Sequence, residues 1–221
     1  MGIISSFLDL FFPPKCVFCG RILNKADDDW CDNCTESLPF AENHGYQDGE
    51  VFDFCVSPLY YIGVVRRSIL RYKFRGAYHY APVFAKLLAE CVREAFADQP
   101  SSMGYDIVSW VPLSAKRKQK RGYDQAMLLA VGAALRLDEA AVETLQKSRN
   151  VGAQSELGDK TERNQNIVGA YTASDPATVK DKRVLLIDDI ITTGSTLDEC
   201  AKVLLDAGAA GVVCATLARG Q

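Results

Sequence analysis

The residues best suited to chemistry lie in one run near the C-terminus, Val184-Leu185-Leu186-Ile187-Asp188-Asp189-Ile190-Ile191-Thr192-Thr193-Gly194-Ser195-Thr196-Leu197. Asp188 and Asp189 are acceptors, suited to sugar hydroxyls or to a bridging Mg²⁺, and neither can hold a phosphate. The hydroxyl-rich Thr192, Thr193, Gly194, Ser195 and Thr196 are suited to that task. Gly194 lets successive backbone N–H groups converge on an anion, and the helix that follows adds its positive end. Carboxylates beside a phosphate loop describe a phosphorylated sugar. A second constellation is Cys16, Cys19, Cys31 and Cys34, a C-x₂-C pair repeated after eleven residues. That spacing brings four thiolates to one closed tetrahedral site, zinc ahead of iron, with a structural task. Two cationic runs complete the set: Arg66 to Arg75, with Tyr72 and Phe74 interleaved, and Lys116 to Arg121, with five cations in six residues.

Positioning these residues requires strands that end together. Val184 to Ile187 read as a buried parallel strand that gives way to the aspartates, and Thr196 as the cap of a helix from Leu197 to about Ala207, stopped by Gly208. Asp106 to Pro112 read as a second buried strand, so a parallel pairing puts the 116–121 run at the same rim, where a pyrophosphate fits. Val212 to Leu217 read as another buried strand. Val56 to Val65 look like strand, Arg66 to Gly76 like a short helix, and Pro82 opens an amphipathic helix. A further helix covers Ala126 to Leu137. Residues 147 to 167 are polar with glycine, the composition of a working loop or lid. Residues 35 to 50 mark the boundary between a metal module, 1–50, and the main domain, 51–221.

Alternatives bear on each element. An apolar strand ending in Asp-Asp also describes the magnesium strand of P-loop NTPases, but no Gly-Lys pair occurs in the chain. A solvated strand end followed by an ordinary turn is the plain reading of the signature. The cationic runs are read either as solvated faces or as phosphate and base contacts, with Arg71, Lys73 and Arg75 candidates for the latter. Cys55, Cys91, Cys200 and Cys214 are explained as small buried hydrophobes, and His44 and His79 have no motif company.

The chain has 221 residues, 48% of them hydrophobic, and a formal charge of −3. That balance gives no bulk electrostatic reason for nucleic acid or an acidic membrane, so any such contact is local. No stretch of eighteen apolar residues is present, so no membrane span is expected. Met1 to Phe12 is apolar without a basic leader and runs into Pro13-Pro14; Ile3, Ile4, Phe7, Leu8 and Phe11 fit a docked amphipathic helix. Cytoplasm is the expected location, and thiols there are read as metal ligands or core, not disulfides.

The stretch from Val184 resembles the phosphoribosyl-pyrophosphate (PRPP) signature of type I phosphoribosyltransferases. More of the chain is similar to the ComF family. The shared pattern comprises the four-cysteine module, Tyr61, Lys73-Phe74-Arg75-Gly76, Val111-Pro112-Leu113, Arg117 and Arg121-Gly122-Tyr123-Asp124-Gln125. It continues with Arg149, Gln154-Ser155-Glu156-Leu157 and Glu162-Arg163-Asn164-Gln165-Asn166. Tyr123 and Asp124 replace the usual Phe and Asn. The resemblance implies an α/β fold with a doubly wound, mostly parallel sheet of type I phosphoribosyltransferase kind, preceded by a small zinc-ribbon-like module. It implies that Asp188 and Asp189 hold ribose with Mg²⁺ and that residues 192–196 take the 5′-phosphate. Leu113, Ser114, Arg117 and Arg121 would cradle pyrophosphate, and Arg149, Gln154, Ser155 and Arg163 would belong to a flexible loop. Expected partners are PRPP and, because family members are associated with natural competence, single-stranded DNA or the competence machinery. Two functions follow: a Mg²⁺-dependent phosphoribosyltransferase of unidentified acceptor and base, or a non-catalytic protein that senses PRPP or handles single-stranded DNA.

Overall fold

The computed structural model describes residues 13–25, 28–97, 104–147 and 169–221. The N-terminal helix expected over residues 3–11 lies outside the described residues, as do Arg149, Gln154, Ser155 and Arg163.

The chain begins with the four cysteines and a short helix α1 (Asp32–Ser37), then a 3₁₀ turn over Glu42–Gly45. Strand β1 (Gln47–Asp48) pairs antiparallel with β2 (Phe54–Val56), so residues ahead of position 50 already belong to the main sheet. The expected strand over Val56 to Val65 is instead β2, a break at Ser57-Pro58, β3 (Leu59–Tyr60) and the start of helix α2 (Gly63–Phe74). Pairing explains why strand ends at Tyr60. Leu59 and Tyr60 lie against Ala218 and Arg219, the last residues of their partner strand, so no ladder remains beyond them. Gly63, at φ +51°, turns the chain into the helix.

Helix α3 (Ala81–Ala97) carries Pro82 in its first turn, where a missing N–H costs nothing, and buries Phe84, Leu87, Leu88, Cys91 and Val92. Strand β4 (Ile107–Trp110) is followed by α4 (Ala115–Arg121), capped by Ser114 and ended by Gly122 at φ +82°. Helix α5 (Gln125–Leu137) is capped by Asp124, whose carboxylate accepts from the amides of Ala126 and Met127. In α5, Gly132 faces Ala85 of α3 so closely that a Cβ there would stand 2.7 Å from the alanine methyl. β5 (Leu145–Lys147) and β6 (Tyr171–Ala173) form a separate antiparallel ladder, here called the stem. A short α6 (Pro176–Val179) precedes β7 (Arg183–Ile191), α7 (Ser195–Asp206) and β8 (Gly211–Arg219).

The main sheet runs β1-β2-β8-β7-β4, with β3 also on β8, and every pairing except β1–β2 is parallel. This is an α/β fold whose mostly parallel sheet is covered by helices on both faces. Alternation along β7 and β8 divides the core: Leu185, Ile187, Val213 and Ala215 face α2, α3, α5 and the cysteine module, whereas Val184, Leu186, Val212 and Cys214 face α7 and the β5–β6 stem. Cys16, Val17, Phe18, Cys34 and Leu38 are buried in the first of these cores.

Candidate functional site

Strand β4 pairs in parallel with β7, Trp110 opposite Ile187, so the segments leaving both strands emerge at one edge of the sheet. That edge brings Leu113, Ser114 and α4 beside Asp188, Asp189 and the 192–196 loop. Asp124 braces the first segment, because its second oxygen accepts from the Leu113 amide at 2.9 Å while the first caps α5. An aspartate at this position therefore does two tasks that its acceptor-only chemistry suits.

The strand does not stop before the aspartates. β7 continues through Ile191, with Asp188 opposite Thr216 and Ile191 opposite Arg219. Inside a strand, neighbouring side chains leave opposite faces, so the two carboxylates are separated. Asp189 faces α2, where its Oδ1 lies 2.8 Å from Lys73 Nζ and where its charge also acts on Tyr72 and Arg121. Asp188 instead influences Lys147, Tyr171 and Cys200 on the other side of the sheet. Its Oδ1 turns back to accept the Asp189 amide at 2.7 Å. Burial first, and then the neighbouring Asp189, push the Asp188 carboxyl well above the ordinary carboxylate range; Lys73 and the amide bond oppose that shift.

Asp189 and Lys73 form a buried pair, with side chains 4% and 18% exposed. Asp189 Oδ2 is buried and accepts no hydrogen bond among the described residues. An enclosed acceptor oxygen of this kind costs free energy unless a donor reaches it, and the hydroxyl of a bound sugar is such a donor.

The loop after β7 has the expected glycine conformation but a different cap. Gly194, at φ +86°, is itself the N-cap, and α7 begins at Ser195, so Thr196 sits inside the first turn. The reason is the longer strand, which leaves three residues, Thr192 to Gly194, for the whole reversal. Thr192 and Thr193 are exposed, and the hydroxyls of Thr193 and Ser195 lie 3.0 Å apart. Asp198, one turn into the helix, accepts from the amides of Glu50 and Val51, so it ties down an adjacent loop.

The two cationic runs, separate in sequence, meet here. Lys73, Phe74, Gly76, Arg117, Lys120 and Arg121 line one cavity of about 380 Å³. Arg121 lies over the Phe74 ring at 4.7 Å and donates to Gln125 Oε1 at 2.7 Å. Phe74 is 62% exposed. Arg71, expected among the substrate or DNA contacts, is committed elsewhere: its guanidinium donates to the carbonyl oxygens of Val17 and Phe18. Arg75 is exposed at the end of α2. Sequence reasoning missed Lys147 and Tyr171, which lie at the base of the stem with Nζ 2.8 Å from the phenol oxygen; two isolated residues in a polar segment carry no motif. Burial, and then Arg117, lower the Lys147 pKa.

The cysteines converge as their spacing predicts. All four Sγ atoms lie within 4.8 Å of one another, with Cys16–Cys34 at 3.7 Å and Cys19–Cys31 at 3.6 Å. Four sulfurs at about 2.3 Å from one tetrahedral ion stand about 3.8 Å apart, so the cluster fits a structural zinc. Burial and the surrounding thiols raise the Cys34 pKa, a cost that a bound cation offsets.

Comparison with known proteins agrees with both halves of the structure. A phosphoribosyl transferase domain model matches residues 124–221, and a double zinc ribbon domain model matches residues 7–45. Competence protein F of Haemophilus influenzae is 30% identical over 216 residues, covering 90% of this chain and 93% of the relative. The DNA utilization protein YhgH of Escherichia coli is 28% identical, covering 91% and 90%. Competence protein ComFC of Bacillus subtilis is 30% identical over 69% of this chain, which spans 58% of that protein. Among solved structures, the glutamine PRPP amidotransferase of B. subtilis aligns over 61% of this chain and 25% of its own, at 25% identity and a TM-score of 0.40. Among the described residues no helix is long and apolar enough to cross a membrane. With a four-cysteine cluster at one end, a phosphoribosyl transferase domain at the other and competence protein F aligned along nearly its whole length, the chain belongs to the competence protein F (ComF) family.

Proposed function

We propose that the rim binds PRPP and that the protein transfers its phosphoribosyl group to an acceptor. The observation that carries this reading is the meeting of three segments at one sheet edge: the later half of β7 with Asp188 and Asp189, the Gly194 loop and the cationic helix α4. Asp189 Oδ2 would accept a ribose hydroxyl, and Asp188 a second. Amides of residues 192–196 would hold the 5′-phosphate, aided by the N-terminus of α7. Ser114, Arg117 and Arg121, with Leu113 supplying backbone, would hold pyrophosphate. In the reaction the C1–oxygen bond breaks with its electron pair leaving on pyrophosphate, while an acceptor lone pair closes on C1 and the acceptor loses a proton. Arginines offset the charge that grows on the leaving group. Mg²⁺, when bound with PRPP, would neutralise phosphate charge that the aspartates alone would repel. Arg149, Gln154, Ser155 and Arg163, outside the described residues, would add contacts to the ligand. The module of residues 1–50 would keep its zinc for structure and residues 51–221 would carry the site, in a cytoplasmic protein.

Calorimetric titration with PRPP and Mg²⁺, paired with a pyrophosphate-release assay over purine, pyrimidine and amine acceptors, tests this. Asp188→Asn with Asp189→Asn should abolish both signals. Binding without release for every acceptor would leave a sensor in place of an enzyme. The second reading, handling of single-stranded DNA in competence, is supported by the shared cavity of both cationic runs and by exposed Phe74 and Arg75. It predicts affinity that falls with salt at a log–log slope of about −0.7 per neutralised phosphate. Salt-insensitive or absent binding removes it.

A further inference from the structure

Helix α2 lies between the cysteine cluster and the strand tip, and two of its cations reach in opposite directions. Residues two apart on a helix stand about 200° apart around its axis. Arg71 points to the cysteine knuckle, where it donates to Phe18 O at 2.7 Å and Val17 O at 3.0 Å, the two carbonyls between ligands Cys16 and Cys19. One turn earlier, the Ser68 hydroxyl donates to the same Val17 oxygen. On the far side, Lys73 pairs with Asp189. Between them Tyr72 is fully buried, and its hydroxyl donates to Gln125 O at 2.9 Å, which holds the helix against rotation.

The knuckle carbonyls need donors because they are turned from water into the core, and α2 supplies them. A ring series follows the same direction. Trp30 packs on Phe18, Phe18 on Phe84, Phe84 on Tyr72 and Tyr72 on Tyr123, with centroids 5.4–6.0 Å apart. Tyr123 also donates to Tyr72 O. The knuckle is thus a stop that sets the height of α2 against the sheet.

We propose that Ser68 and Arg71 are positioning residues through which a metal-organised cysteine knuckle holds Lys73 against Asp189, so that loss of the metal loosens the rim. When the four thiols no longer share an ion, the Val17 and Phe18 carbonyls lose their fixed direction. Arg71 then has no rigid acceptor, and α2 no longer holds its depth. Lys73 retreats from Asp189, leaving that enclosed carboxylate without its cation. Only the consequence for ligand affinity rests on the PRPP reading. The movement of Lys73 does not.

The test is lysine acylation of the full chain with acetic anhydride, read peptide by peptide by mass spectrometry, with and without chelation. Lys147, paired with Tyr171 away from α2, is the internal reference. Lys73 should react about tenfold faster after metal removal, as expected for local opening, while Lys147 is unchanged. Arg71→Met, checked to retain its metal, should show the same rise, and Arg71→Lys should restore much of the protection. Equal Lys73 rates in loaded and metal-free protein overturn the proposal. Should chelation expose Lys147 as well, the metal-retaining Arg71→Met protein decides, and an unchanged Lys73 rate in it overturns the proposal. PRPP titration of the loaded wild type runs alongside. Failure to bind there removes the PRPP reading, and the acylation rates still decide the coupling.

Discussion

The cysteine cluster and the strand rim both gather ionisable side chains at a point, yet they are assembled differently. The cluster draws its four ligands from residues 16–34, within two short local turns, and each thiol faces the other three. The rim draws on Lys73, Arg117, Arg121, Asp189 and Gly194, which meet only after β4 and β7 pair and α2 packs across their ends. One site is closed and defined by spacing. The other is open, with an exposed loop and a cavity, and is defined by topology. A closed site suits an ion that stays; an open one suits a ligand that comes and goes.

The largest expected effect breaks the closed side. Cys34→Ser removes a ligand that is also buried in the main core, and it should lower stability by about 4 kcal/mol with a midpoint about 10 °C lower, together with loss of metal stoichiometry. A protein that stays fully stable without metal would make the cluster an ornament on the fold. Next comes the buried pair of the open side. Lys73→Met leaves Asp189 uncompensated and should cost about 3 kcal/mol in denaturant unfolding, whereas Lys73→Met with Asp189→Asn should recover most of it. Equal losses in the single and double variants would show that the two side chains are not coupled.

Gly194→Ala should have a smaller effect, about 1–2 kcal/mol, because a Cβ at φ +86° is strained although it meets nothing nearer than Asp198 Oδ2 at 3.5 Å. PRPP affinity should fall with it, since the loop amides move, and unchanged affinity would detach the loop from the ligand. The smallest effect concerns pH. The fold raises the Asp188 pKa, so it favours the protonated form. The associated stability is complete below the ordinary carboxylate range and is lost as pH rises through the raised value. Thermal midpoints of the wild type should therefore decline between about pH 5 and about pH 9 more than those of Asp188→Asn. Parallel curves would show that Asp188 titrates normally.

Local signals were the legible ones. The C-x₂-C pairs and Pro82 at a helix start act within a few residues, and each appears where spacing puts it. The errors fell where the outcome depended on a partner. The span from Val56 to Val65 has strand composition, but its ladder ends with Arg219 of β8. The Asp-Asp pair reads as a strand end, yet pairing with β8 carries β7 to Ile191 and sends the carboxylates to opposite faces. Arg71 and Lys73 look equivalent in the run from Arg66, and one serves the cysteine knuckle while the other serves Asp189.

Residue order alone determined which chemistries this protein carries: thiols at metal spacing, a glycine where a loop must turn at positive φ, carboxylates after an apolar strand, and cations in two blocks. Those properties depend on neighbours along the chain. The tertiary structure decided which of these groups face one another. Helix periodicity set Arg71 and Lys73 on opposite sides of α2, strand alternation divided Asp188 from Asp189, and parallel pairing of β4 with β7 joined two distant cationic segments in one cavity. Direction in a packed fold follows from contacts made across the core, and a string of residue types does not contain them.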